Sequence, residues 1–128
     1  MTHHTDIQVR FADTDALGHL NNASYALYGE YARIHFLKAL DTDVQALILA
    51  HLSLDFRKQV RFGEEVGVET WVERVGNSSI TLAQEILAGN EVACSVNSVV
   101  VHFDYEAQKA KKIPDGVREK LLEYTRKS

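Results

Sequence analysis

The sequence predicts an α+β domain in which an antiparallel sheet wraps around one long central helix. Three observations carry this. A helix-like run extends from about Ala23 to Ala39. Apolar segments from Leu52 to Tyr105 follow one another with short turns between them, which makes their pairing antiparallel. The helix must bury a wide apolar face, and the sheet is the only partner the chain offers it.

In chain order, Ile7 to Phe11 reads as a short strand, with Ile7, Val9 and Phe11 on one face and Gln8 and Arg10 on the other. Ala12 to Leu20 reads as loop or irregular turn, with Gly18 as its flexible point. Asn21 or Asn22 suits the cap of the helix. Along the helix, Leu27, Tyr31, Ile34 and Leu37 fall at three- and four-residue spacings and predict its buried stripe. Glu30 and Arg33, three apart, are placed to pair. Asp41 to Asp43 is a turn, and Val44 to Ala50 is ambiguous between strand and helix. Leu52, Leu54 and Phe56 alternate with polar residues as in a half-buried strand. Strands are expected over 66–75, 79–88 and 91–105, separated by Gly76-Asn77-Ser78 and Gly89-Asn90. The valine-rich segment around Val96 to Val101 is expected near a sheet edge, where it invites pairing with a second copy. Lys109 to Lys112 is a basic loop, and Pro114 opens a short helix expected over Val117 to Thr125.

At 128 residues the chain is expected to form a single domain, residues 1–128, large enough to bury a core without disulfide or metal. A net charge of -4 argues against nucleic acid as a partner. The N-terminus lacks the apolar stretch of a signal peptide, and no apolar run approaches the ~18 residues that insert in a membrane. Cys94 is the only cysteine, which fits a reducing, cytoplasmic setting, and its apolar neighbours read as burial. There is no phosphate-binding glycine loop, no H-E-x-x-H, no paired C-x-x-C and no G-x-S-x-G. A zinc site or serine nucleophile is therefore not expected, and no metal ligand is assigned.

The chemistry gathers between Asp13 and Asn22, where two aspartates, a glycine, a histidine and two asparagines precede the helix. Backbone N–H groups at a helix start are unpaired and carry positive potential, so they favour a carboxylate or a developing oxyanion. Two neighbouring carboxylates resist ionising together, so Asp13 and Asp15 should occupy different surroundings.

The run R-F-A-D-T-D-A-L-G-H-L-N-N-A-S-Y, followed by E-Y-A-R, resembles the signature of hotdog-fold acyl-CoA thioesterases of the 4-hydroxybenzoyl-CoA thioesterase type. That pattern, D-x-D-x-x-G-H-x-N-N-x-x-Y with E-x-x-R on the helix, falls here on Asp13, Asp15, Gly18, His19, Asn21, Asn22, Tyr25, Glu30 and Arg33. The likeness extends to about Phe103. It implies a hotdog fold, assembly as a homodimer or homotetramer, and active sites at the subunit interface. It places the catalytic carboxylate on Asp15, as nucleophile or as general base for water. It places the donor that polarises the thioester carbonyl on a backbone N–H near Asn22.

Gly18, His19, Asn22, Tyr25 and Arg61 are then the expected substrate-binding residues. Asp13 is expected to fix the turn and His19 to orient Asp15 or the substrate. Glu30 is a rival carboxylate. Arg57, Lys58 and Arg61 form a basic group suited to coenzyme A phosphates. The expected function is hydrolysis of an acyl-CoA to free acid and coenzyme A, with no cofactor beyond the coenzyme A of the substrate. The rival readings are an acyl-carrier-protein thioesterase and a non-catalytic acyl-CoA-binding module. A hydratase lacks its histidine and acid motif.

Overall fold

The computed structural model describes residues 1–126. Its strands are β1 (His3–Ile7), β2 (Leu47–Phe56), β3 (Val66–Val75), β4 (Ser79–Ala88), β5 (Glu91–Asp104) and the two-residue β6 (Lys109–Ala110). The helices are α1 (Asn22–Ala39) and α2 (Asp115–Leu122). All pairings are antiparallel and run in the order β1-β3-β4-β5-β2, with β6 pairing β5 at its far end. Register shifts at Leu49/His51, Val72/Arg74 and Ile86/Leu87 bend the sheet. It curls over α1, which packs on β1, β3, β4 and β5. This is the hotdog-like fold the sequence predicts.

The core lies between helix and sheet. One half joins Tyr25, Tyr28 and Ala32 of α1 to Val68, Ile86 and Val96. The other joins Phe36, Leu37 and Leu40 to Val72, Ile80, Leu82 and Leu121 of α2. Cys94 is fully buried.

Five expectations are corrected. The first strand is His3–Ile7 rather than Ile7–Phe11, because Asp13 draws the following chain into a 3-10 turn at Phe11–Asp13. Its carboxylate accepts from the Arg10 N–H at 3.0 Å and from the Arg10 guanidinium at 2.8 Å. The buried face of α1 is Ser24, Tyr25, Tyr28, Gly29, Ala32, Arg33, Phe36 and Leu37; of the expected stripe Leu37 is buried, whereas Leu27, Tyr31 and Ile34 are exposed. A Cβ at Gly29 would lie 3.2 Å from Gln84 Oε1, and Gln84 Nε2 donates to the Gly29 carbonyl at 3.0 Å. The sheet comes close to α1 at Gly29, with the large rings of Tyr25, Tyr28 and Phe36 on the same buried face to either side.

The other three corrections concern partners and boundaries. The valine-rich strand, β5, is central between β4 and β2, and the outer strand is β2. Glu30 and Arg33 form no ion pair among the described residues, although burial of Arg33 leaves Glu30 as the charge that acts on it. The last helix begins at Asp115 and ends at Leu122, a few residues earlier at each end than the expected Val117 to Thr125.

Candidate active site

The segment 13–22 is a small looped hairpin ahead of α1. Thr14 bridges to Leu20, the Asp15 N–H donates to the His19 carbonyl at 2.7 Å, and Gly18 turns the chain at φ +80°. Asp13 anchors the base of this loop. Its side chain is buried, it accepts from Tyr28 Oη at 2.6 Å, and its carbonyl accepts from the Asn21 N–H at 2.9 Å and Ser24 Oγ at 2.8 Å. The bond with Arg10 holds its carboxyl down at about 2.

Asp15 is in different surroundings, as the proximity of two carboxylates demands. It is exposed, and its Oδ1 accepts from the N–H groups of Leu17 at 2.8 Å and His19 at 3.1 Å. These bonds, led by that from Leu17, lower its pKa. Its Oδ2 has no hydrogen bond among the described residues, so one oxygen is oriented by its turn and the other is open. It is the backbone of His19, not its ring, that orients this carboxylate.

At the helix start, Asn21 is the cap, and its side chain accepts from the Ala23 N–H at 3.1 Å. The Asn22 N–H makes no hydrogen bond among the described residues. It is an unpaired donor at the positive end of an 18-residue helix.

Asp15, His19, Asn22 and Tyr25 line one cavity of about 550 Å³. The end of β2 and the residues after it supply the opposite wall: Phe56, Arg57, Lys58 and Gln59. Tyr25 is buried, stands edge-on to Phe56 at 5.3 Å, and donates to the Lys58 carbonyl at 3.3 Å. Lys58 pairs with Glu91 at 2.9 Å, and Arg57 Nε donates to Ser95 Oγ at 2.8 Å. The sequence motif therefore converges on one wall. Gly18 shapes the loop, and Arg61, bridged to His19, supports it; neither is among the residues lining the cavity. Phe56 and Gln59 were missed because nothing in a strand end marks it as a cavity wall. Glu30, the rival carboxylate, lines a different cavity. Among the described residues no group of three or more metal-ligating side chains gathers.

A curled antiparallel sheet over one helix, with a carboxylate loop at the helix start, defines the class of hotdog thioesterase-like proteins. The chain belongs to the Thioesterase-like superfamily, which it matches over residues 9–121. It is similar in structure to a predicted thioesterase from Bacillus stearothermophilus, with 30% identity, a TM-score of 0.91, and coverage of 100% of this chain and 99% of that one. A thioesterase from Thermus thermophilus, complexed with coenzyme A and Zn, aligns with a TM-score of 0.86 and 27% identity over 94% of this chain and 92% of that one. The chloroplastic acyl-acyl carrier protein thioesterase ATL3 of Arabidopsis thaliana is 24% identical over 97% of this chain and 70% of its own length.

Proposed function

We propose that this protein is an acyl-CoA thioesterase of the 4-hydroxybenzoyl-CoA thioesterase type, acting as one cytoplasmic domain and as a homodimer or homotetramer. The observation that carries the reading is the pairing of an open carboxylate oxygen on Asp15 with the unpaired Asn22 N–H in one cavity. Thioester hydrolysis needs both. As general base, Asp15 takes a proton from water while the oxygen attacks the thioester carbon, and the carbonyl becomes an oxyanion. The Asn22 N–H stabilises that charge; one such donor is typically worth ~2.7–4 kcal/mol. The intermediate collapses, the C–S bond breaks, and the thiolate leaves and takes the proton. As nucleophile, Asp15 would first displace the thiolate to form an anhydride, which water then opens.

Tyr25 and Phe56 give the cavity an aromatic wall for the acyl group. Arg57 and Lys58, next to Phe56 on the same wall, suit the phosphates of coenzyme A, and the coenzyme A bound by the Thermus relative supports that assignment. The reaction needs no cofactor of its own. The same two cations also suit an acidic acyl carrier protein, a second reading supported by the plant relative.

The test is thiol release from short, medium, long, branched and aromatic acyl-CoAs, with an acyl carrier protein thioester as competitor. Turnover that Asp15→Asn lowers by about 10² or more supports the reading. Full activity in that variant moves the chemistry elsewhere, Glu30 first. Binding of acyl-CoA without turnover makes the protein a binding module.

A further inference from the structure

β1 is an outer strand, and among the described residues it pairs with β3 alone. Two histidines stand side by side on it and point to opposite faces of the sheet, as neighbours in a strand do. On the outer face, His4 Nε2 lies 2.8 Å from Asp6 Oδ1, and its Nδ1 lies 2.5 Å from Glu69 Oε2. An ionised carboxylate only accepts, so both ring nitrogens donate, and a ring that donates from both is an imidazolium. Glu69 Oε1 is held in turn by Thr2 Oγ1 at 3.0 Å. The ring lies over Gly67 of β3, where a Cβ would come within 2.6 Å of its Cε1. Glycine at that position leaves the room in which the imidazolium joins one strand to the next.

On the inner face, the His3 ring lies 5.4 Å from that of Phe36 on α1 and 6.4 Å from that of Tyr124. Its Nδ1 is buried with no hydrogen-bond partner among the described residues. A proton added there is a charge without an acceptor, which is costly away from water. Burial lowers the pKa of His3, His35 of α1 adds to this by repelling its charged form, and Glu69 of β3 opposes it. His4 faces Asp6 and Glu69, whose hydrogen bonds raise its pKa. Next across the sheet, Glu85 of β4 stands opposite Glu69 and is engaged by Arg126 at 2.9 Å.

We propose that the attachment of β1 reads pH: charged His4 clasps the strand to β3, and neutral His3 seals it onto α1. The two contributions fade in opposite directions. A histidine held in its charged form contributes stability that is complete below its ordinary value of 6.5 and is lost as pH rises through the folded value. One held neutral contributes stability that is complete above 6.5 and is lost as pH falls through the folded value. β1 is therefore held most firmly near pH 6.5 and loosens on both sides of it. A five-residue strand at the end of a sheet can open while the central strands stay paired. Arg10, three residues past the end of β1, binds Asp13 at the base of the loop that carries Asp15, so a loosened strand pulls on that loop. The device is independent of the reaction assigned to Asp15.

The test is amide hydrogen exchange by NMR at a series of pH values on either side of 6.5, with the protection of β1 amides taken relative to that of β4 amides. In wild type this ratio should peak near 6.5 and fall by about two- to fivefold on each side, the range expected of exposed ion pairs. His4→Gln should abolish the fall on the alkaline side and keep the acid one. His3→Phe preserves an aromatic ring against Phe36 and Tyr124 without a titrating group, and should abolish the acid fall alone. Gly67→Ala should push the His4 ring aside and abolish the alkaline fall, although both histidines and both carboxylates remain. If His3→Phe does not fold, the ring proton shifts of His3 in wild type carry the acid side and must titrate below 6.5. A ratio that does not change with pH, an alkaline fall that survives both His4→Gln and Gly67→Ala, or a fall that β4 shares equally would each overturn the proposal.

Discussion

Tyr28 Oη donates to the Asp13 carboxylate at 2.6 Å, joining the second turn of α1 to the base of the loop that carries Asp15. Both residues are buried. Removing the hydroxyl leaves a charged acceptor short of a donor, so Tyr28→Phe should cost about 1.5–3 kcal/mol in urea unfolding. Thiol-release turnover should fall with it, since the loop is freed from the helix. A variant as stable as wild type would show that Arg10 alone satisfies Asp13.

Asp13 also sets an acid limit. Its folded pKa is about 2, against an ordinary value of 3.8. A depressed carboxylate contributes stability that is complete above the unfolded value and is lost as pH falls through the folded one. Stability should therefore decline between about pH 4 and pH 2. Asp13→Asn should be less stable at neutral pH and show a shallower decline in that window, measured by denaturant titration at fixed pH values.

For Asp15, the N–H groups of Leu17 and His19 favour the charged form. A base or nucleophile must be deprotonated, so the acid limb of kcat/KM should lie below the ordinary aspartate value of 3.8, wherever the fold survives. A limb near pH 6–7 would assign the titrating base to a histidine instead.

Gly18 holds φ +80°, which a side chain resists although nothing lies within 4 Å to clash with it. Gly18→Ala should cost roughly 1 kcal/mol through the backbone alone. Because Gly18 sits inside the turn whose amides hold Asp15, kcat should drop more than KM rises. Equal changes in both would place Gly18 in binding rather than in shaping the loop.

The motif around Asp15 was legible because loops and caps are written locally: Asn21, Gly18 and Asp15 act on residues within a few positions of themselves. Strands β3, β4 and β5 were legible for the same reason, from alternation between glycine turns. What escaped depends on distant neighbours. The inward face of α1 follows from where Gln84 meets Gly29, 55 residues apart. The central place of β5 follows from β2 returning beside it, and Phe56 joins the cavity only through that return. The early end of the first strand follows from Asp13 reaching back to Arg10, a short-range contact hidden by the alternation of Ile7, Val9 and Phe11, which reads as strand.

Cys94 has one more consequence. The proposed reaction liberates a thiol, and such reactions are followed with disulfide reagents that any accessible protein thiol also consumes. Cys94 lies within β5 with no exposed surface, and burial pushes its pKa up to about 11. A thiol in that state is protonated and shielded, hence unreactive. The folded protein should therefore contribute no colour of its own, and a slow signal without substrate would report unfolding rather than catalysis.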